Sequence, residues 1–344
     1  MSRGRRAEAA FKFNGKSVTK TLKNYIESVS YTDVASGSSD SLDISLQNID
    51  ENWLRKWYPK KGDSVVGSFI FHDWKKQGDT STLPLGVFTL DEIKLTGGPL
   101  RADFGCVAIP SAESFKTRER TKTWKSVTVK EIGAEIAGRY KLGFSYEADD
   151  IKIETLEQSD EADSSFLSSL CDKYDLSMKV YAETITIYDQ GKFESKGTVA
   201  TIIRTDWVDD RWTYTDTLAG IYTGARISHK KEGSDEEISI YVGLKAENAP
   251  KSRVLKITET ADDVGDAYRK AAAKVNESNR DATTLKGDIF PNVKICAGVT
   301  VKVKGLGKAD GKYFVDKSTM TISSSGTTHS IEMHKCQPRL NASP

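Results

Sequence analysis

Residues 124–189, WKSVTVKEIGAEIAGRYKLGFSYEADDIKIETLEQSDEADSSFLSSLCDKYDLSMKVYAETITIYD, carry the reading on which the fold of this chain turns. Thr128 and Glu131 have the capping-box spacing, a hydroxyl accepting from the first turn and a carboxylate reaching back. Val129, Ile132, Ile136 and Tyr140 then fall on one helical stripe, and Gly143 is expected to end the helix in the left-handed conformation. A second helix is expected from Asp160, with Glu161 and Asp163 in its first turn and Phe166, Leu167, Leu170, Cys171 and Tyr174 on its buried face. Met178 and Val180 alternate with Lys179 and Tyr181, and Ile185 and Ile187 with Thr184, Thr186 and Tyr188. That pattern predicts a hairpin turning near Ala182 and Glu183. The stretch reads as a small α+β unit whose acids face water and mark the fold, not an active site.

Outward from this unit the chain is β-rich. On the N-terminal side, Phe11 and Phe13 precede an Asn14-Gly15 turn, Leu42, Ile44 and Leu46 alternate with polar residues, and Val65–Phe71 and Val87–Leu95 read as strands. On the C-terminal side, Val299, Val301 and Val303 alternate with Thr300, Lys302 and Lys304. Tyr313–Ile322 and His329–Met333 follow as strands. A helix capped by Thr260 is expected, with Val264, Ala267, Tyr268, Ala271 and Val275 as its stripe. His229–Glu237 reads as an exposed charged turn between strands Ile221–Ile227 and Ile238–Val242. The flanks also echo one another. Tyr58-Pro59, Gly62, Val65 and Gly86-x-Phe88-x-Leu90-Asp91 correspond to Phe290-Pro291, Gly298, Val301 and Gly311-x-Tyr313-x-Val315-Asp316, as a duplication would produce.

The 344 residues allow two or three domains, and 38% apolar with 29% charged residues is ordinary for a globular chain. A net charge of +1, from 50 basic and 49 acidic residues, argues against duplex DNA as the main partner. No stretch has the apolar length to span a bilayer, and the basic opening with Arg3, Arg5 and Arg6 lacks the apolar core of a secretory signal. That arm reads as a disordered tail or an assembly contact. Cys106, Cys171, Cys296 and Cys336 are scattered and predict reduced thiols from a reducing cytoplasm. His72, His229, His329 and His334 show no zinc spacing, and the last two have opposite parity on a strand. No metal, cofactor or catalytic residue is expected. The adjacent pairs Asp149-Asp150 and Asp209-Asp210 read as solvated turns, and Trp207, Trp212 and Tyr214 as packing at a barrel edge or subunit interface.

The pattern Trp124, Leu156, Gln158, Asp160, Glu161, Asp163, Phe166, Leu167, Leu170, Cys171 and Tyr174 resembles the late control protein D hubs of contractile phage tails, a family related to the hub part of type VI secretion spike proteins. Ala297, Gly298, Gly305, Asp310, Gly311, Tyr313, Val315 and His329 resemble its C-terminal wording. Asp40, Leu42, Ile44 and Gly62 resemble its first barrel. The chain departs from the family at the last hairpin, where Thr327-Thr328 follows Gly326 in place of an aromatic. The resemblance implies a mostly β, α+β fold: a tail-tube-like β-barrel domain at 1–115, a small α+β insert domain at 116–192, and a second barrel domain at 193–344 carrying the helix near 261–279. It implies a structural, non-enzymatic homotrimer in the virion or tail-like particle, made in the host cytoplasm. That trimer would adapt a sixfold tail tube to a threefold central spike. Expected partners are the tube, the spike, the tape-measure protein and baseplate wedge proteins, with no membrane and with DNA only as passing cargo. Its lumen is expected to be neutral or acidic, since dense Lys and Arg would hold phosphates. The competing reading is a tail-associated cell-wall hydrolase or carbohydrate-binding module.

Overall fold

The structure, a computed structural model, describes residues 4–74, 76–108, 113–230, 237–243 and 253–340. The N-terminal module comprises β1 (Arg6–Phe13), β2 (Lys16–Ser17), α1 (Thr19–Leu22), β3 (Ile26–Val34), β4 (Ser41–Gln47), β5 (Ser64–His72), β6 (Thr80–Gly97) and β7 (Leu100–Val107). The alternation in Ser41–Gln47 puts Leu42, Ile44 and Leu46 into one core with Phe11, Phe69, Phe88 and Phe104. The Asn14-Gly15 turn has positive φ at both residues, as a tight hairpin requires. Arg6 lies in β1, and the Arg5 guanidinium sits over the Trp74 ring, so this part of the basic arm is built into the module. Arg3 lies outside the described residues.

The middle unit comprises α2 (Glu113–Thr117), β8 (Glu119–Thr128), α3 (Val129–Arg139), β9 (Gly143–Glu147), β10 (Lys152–Ala162), α4 (Asp163–Lys173), β11 (Leu176–Tyr181), β12 (Thr184–Asp189) and α5 (Gln190–Ser195). Thr128 and Glu131 form the capping box, and Val129, Ile132 and Ile136 are buried. The hairpin turns at Ala182 and Glu183, both left-handed. Two helix ends differ from expectation. Lys141, not Gly143, takes the left-handed conformation after α3. Gly143 instead opens β9, where a Cβ would lie 2.7 Å from the Thr184 hydroxyl. The second helix begins at Asp163, not Asp160. β10 continues to Ala162 against β8 through an irregularity between Gln158 and Glu161, and the Thr121 hydroxyl holds the Asp160 carboxylate at 2.7 Å. The ladder thus outcompetes the first helical turn.

The C-terminal module comprises β13 (Ala200–Ile203), β14 (Trp207–Asp216), β15 (Gly224–Lys230), β16 (Glu237–Gly243), β17 (Val254–Ile257), α6 (Val264–Arg280), β18 (Thr283–Ile289), β19 (Thr300–Lys304), β20 (Gly311–Ser323) and β21 (Gly326–Lys335). Asp263 caps α6 in place of Thr260, accepting from the Asp266 N–H at 2.7 Å, and Val264 is exposed, off the buried stripe that the spacing predicts for it. Ala267, Ala271 and Val275 pack on the three-stranded sheet β16-β15-β17. The turn at 231–236 lies outside the described residues.

The two flanking modules run along one 13-stranded sheet. In the first, β1-β5-β6-β7-β4-β3 lie side by side; in the second, β13-β19-β20-β21-β18-β14 do. Taken in chain order, both modules have the same strand path. The two sheets join where the second half of β20 pairs with β3, so Met320 lies opposite Tyr31. The sheets are mostly antiparallel, as the flanking alternation predicts; the two modules share one sheet, and β13–β19 and β15–β17 in the second module and β12–β9 in the middle unit add parallel pairs.

Candidate functional site

The correspondence between modules holds at the level of single residues. Gly62 donates to the Leu90 carbonyl at 2.8 Å, and Leu90 donates to Asp63 at 2.9 Å. Gly298 donates to Val315 at 2.9 Å, and Val315 donates to Val299 at 2.9 Å. Both glycines have positive φ, where a side chain would be strained. Register shifts follow at the same place, between Leu90 and Glu92 and between Val315 and Lys317. Tyr31 and Thr32 pair with Leu42 and Ser41, as Tyr214 and Thr215 pair with Leu285 and Thr284. A short echo that periodicity alone did not single out, Tyr31-Thr32-Asp33 and Tyr214-Thr215-Asp216, marks these equivalent strands.

In the middle unit, β10 and β8 bring Leu156 opposite Trp124. Trp124 stacks on Phe166 with 6.2 Å between centroids, and the Lys122 ammonium lies 3.7 Å from the indole centroid. Asp163 is fully buried, so the reading of this acid as water-facing fails. Its carboxylate accepts from Gln158 Nε2 at 2.8 Å, Tyr140 Oη at 2.7 Å and Arg139 at 3.0 and 3.1 Å. Arg120 Nε adds an ion pair at 3.2 Å, without the alignment of a hydrogen bond. Burial pushes the Asp163 pKa up, but the donors outweigh it and hold the carboxyl below its usual range. Asp160 and Glu161 lie on β10, and Leu167 is buried between the helices and the sheets. Among the C-terminal residues singled out, Tyr313 is buried and its hydroxyl donates to the Ala309 carbonyl at 2.7 Å. Gly311 has positive φ where the Lys335 side chain crosses it.

The three units meet at two polar seams. At the first, Lys179 reaches between Asp33, with which it hydrogen-bonds, and Asp40 Oδ1 at 3.3 Å, and it donates to the Val34 carbonyl at 2.9 Å. The second oxygen of Asp33 accepts the Ala297 N–H at 2.9 Å. Burial raises the Asp40 pKa to about 6, against the pull of Lys179. A cleft of about 360 Å³ opens beside this seam, lined by Tyr31, Asp33, Lys179, Tyr181, Cys296 and Met320 among others. At the second seam, His334 faces Asp316 at 2.8 Å and Glu194 at 3.2 Å, and Arg339 bridges Glu194 at 2.6 Å and Asp175. Burial lowers the His334 pKa, but the two carboxylates prevail and raise it to about 9. His329, on the other face of β21, bonds Ser318 at 2.8 Å, and burial drops its pKa to about 3. The seams join residues far apart in the chain, which periodicity does not register.

These groups serve packing and junction chemistry. Among the described residues, no group of three or more His, Cys, Asp or Glu is placed to hold a metal. Asp209 and Asp210 lie in a bulged part of β14, where Asp210 pairs with Arg204 at 2.6 Å and accepts from Trp212 Nε1 at 2.8 Å. Trp207 is buried in the second core, while Trp212 and Tyr214 are half-buried on β14, the end strand of the sheet path.

No family model matches the chain. It is 24% identical over 373 aligned positions to the probable baseplate hub protein of Escherichia phage 186, covering 93% of this chain and 90% of that protein. It is 27% identical over 229 positions to that of Escherichia phage P2, covering 64% of this chain and 56% of that protein. Its fold matches the 43 kDa tail protein of prophage MuSo2 from Shewanella oneidensis, with a TM-score of 0.71, 11% identity and coverage of 96% and 98%. The Escherichia coli c3393 protein, a type VI secretion component, matches with a TM-score of 0.58, 13% identity and coverage of 97% and 80%. The resemblance read from the sequence is met by the similarity to the phage 186 protein along nearly the whole chain and by the fold, and the chain is similar to proteins named as probable baseplate hubs of these phages.

Proposed function

We propose that this chain is a structural, non-enzymatic baseplate hub of a contractile phage tail or phage-tail-like bacteriocin. Three copies assemble into a ring of six modules, one face meeting the sixfold tail tube and the other a threefold central spike. The duplicated strand path within one sheet carries this reading, since a protomer with two like modules is what a threefold object needs to imitate a sixfold one. Residues 1–115 and 193–344 act as the tube-like domains, and 116–192 braces them through Lys179 at the first seam and Asp175 at the second. Trp124, Leu156, Gln158, Asp160, Glu161, Asp163, Phe166 and Leu167 serve that brace. Gly298, Gly311 and Tyr313 shape the second module.

The partners are the spike and tube proteins, with tape-measure and wedge proteins around them. DNA crosses a neutral or acidic lumen in the finished particle. The experiment is reconstitution of the full chain with its cognate spike, read by native mass and by imaging of the assembled ring. Three copies with six equivalent modules are expected. A chain that stays monomeric with spike present sinks the reading, and lysis of peptidoglycan in a zymogram favours the hydrolase instead.

A further inference from the structure

The first seam holds one amine between two carboxyls, and all three are largely shut away from water. Asp33 is 5% exposed, Asp40 0% and the Lys179 side chain 19%. Lys179 comes from β11 of the middle unit, whereas Asp33 lies near the end of β3 and Asp40 just before β4 in the first module. The Lys179 amine hydrogen-bonds one Asp33 oxygen and donates to the Val34 carbonyl at 2.9 Å, with Asp40 Oδ1 at 3.3 Å. The other Asp33 oxygen accepts the Ala297 N–H at 2.9 Å. Asp40 is fixed in turn by the Val34 N–H at 3.0 Å and the Tyr31 hydroxyl at 3.4 Å. Tyr31, Tyr181, Ile295 and Met320 wall the cleft beside them, with the amine 5.8 Å from the Tyr181 ring centroid. One ammonium does not balance two buried carboxylates, and a buried ion pair gains little over its desolvation. An amide between Lys179 and Asp33 removes both charges and keeps the hydrogen bonds. Its carbonyl would still accept from Ala297, and its N–H would still donate to Val34.

We propose that Lys179 and Asp33 condense into an isopeptide bond, with Asp40 as the proton carrier. Burial pulls the Lys179 pKa down, but Asp33 and Asp40 outweigh it and raise it, so the resting pair is ionic. The amine is freed when a proton passes to Asp40, whose pKa burial raises to about 6. Lys179 Nζ then attacks Asp33 Cγ, and the oxygen held by the Ala297 N–H takes the developing negative charge. The C–N bond forms, and the bond from Cγ to the other oxygen breaks. That oxygen leaves as water with two protons from the nitrogen, one of them carried by Asp40. The nitrogen keeps one hydrogen, nothing is oxidised or reduced, and Asp40 ends as it began. Poor access of water to the site opposes hydrolysis of the product. The second seam also sets a cation between two acids, but there it is Arg339, whose guanidinium stays protonated and does not attack. The bond ties β11 to β3, the strand through which the modules share a sheet, across a separation of 146 residues. Nothing in this chemistry depends on the hub assembly.

The test is the intact mass of the full, folded chain, held at neutral pH until the mass is constant, followed by tryptic mapping. A deficit of one water, about 18 Da, and a branched peptide joining Lys179 to Asp33 are expected. Lys179→Arg keeps the charge and should retain the full sequence mass. Asp33→Asn should form the same bond with loss of ammonia, about 17 Da. Asp40→Asn keeps both bonding groups and should slow the linkage at least tenfold. Circular dichroism matched to the parent separates a variant that fails to fold from one that fails to link. A folded parent chain that stays at its full mass would overturn the proposal. So would a water deficit that maps to Asp310-Gly311, where ring closure onto the backbone gives the same mass. Linkage of Asp40→Asn at the parent's rate would overturn the proton route.

Discussion

Replacing Asp163 with alanine tests whether the middle unit is held by its buried carboxylate. The substitution removes one of the two acceptors of Gln158 Nε2, whose residue is fully buried and which keeps only the Glu161 carbonyl at 2.9 Å, and it removes acceptors for Tyr140 and Arg139. Breaking a buried charged cluster by removing one partner costs about 3–5 kcal/mol. The side chains of Arg139 and Arg120 are 20% and 29% exposed and can regain water, so the lower end applies, about 3 kcal/mol. Asp163→Asn keeps the volume and one acceptor and should cost about half as much. Hydrogen exchange read at the amides of α4, β8 and β10 is the assay, because it reports opening of this unit apart from the modules. Loss of about 3 kcal/mol of protection there, with little change in β5 or β19, is the expected result. The sign with pH is also set. Asp163 is held below its ordinary 3.8, so its contribution is present above that value and fades as pH falls through the lowered one. An alanine variant within about 1 kcal/mol of the parent at neutral pH would refute the claim that this carboxylate organises the unit.

The second seam predicts an alkaline response. His334 titrates at about 9 in the fold against 6.5 ordinarily, so its stabilisation is complete below 6.5 and lost as pH rises through about 9. The unfolding free energy from urea titration should fall over that window by up to about 3 kcal/mol, and His334→Gln should flatten the slope. Gly287→Ala should be among the costly small changes, about 1–3 kcal/mol by denaturation, because its Cβ would lie 2.4 Å from the Arg211 carbonyl and 2.9 Å from Trp212 Cα, neither able to swing away. Met320→Ala, buried where β20 meets β3, should cost about 2–4 kcal/mol, while Leu95→Ala, half-buried at the equivalent position on the edge of β6, should cost under about 1. Equal costs would mean that the two edges are equally covered in a single chain.

Legibility in the sequence followed the range of the interactions. The capping box at Thr128 and Glu131, the Ala182-Glu183 hairpin and the strands around Ile44, Val301 and Ile331 depend on neighbours within a few residues, and periodicity reports those. The start of α4 is not legible locally, because Asp160 and Glu161 suit a first helical turn, yet the β8 ladder claims them. Asp163 looked like an ordinary first-turn acid, and only the fold brings Arg120, Arg139 and Tyr140 to it. Parallel pairing of β13 with β19 joins segments about a hundred residues apart, beyond what alternation encodes. The glycine and aspartate echo between the flanks was visible, whereas the merger of both modules into one sheet through β20 and β3 was not.

The differences between the modules bear on why the fold is duplicated at all. The second module inserts β15, β16, β17 and α6 between β14 and β18, where the first has only the turn from Val34 to Ser41. The first strand pairs antiparallel in one module and parallel in the other. Yet from the glycine before β5 or β19 through the bulge in β6 or β20 to the partner strands, the registers superimpose residue for residue. Divergence has therefore been absorbed in connections, at the β1 and β13 edges and in the bulge near the start of β14. Beyond that bulge the strands that meet at the internal junction, β20 and β3, and their equivalents in the other module, β6 and β14, keep common geometry. A strand edge tolerates no slip, because moving the register by one residue turns every side chain to the other face. If one contact must serve both within a chain and between chains, the strands carrying it are constrained together while the loops are free to differ, and that is the distribution of differences the two modules display.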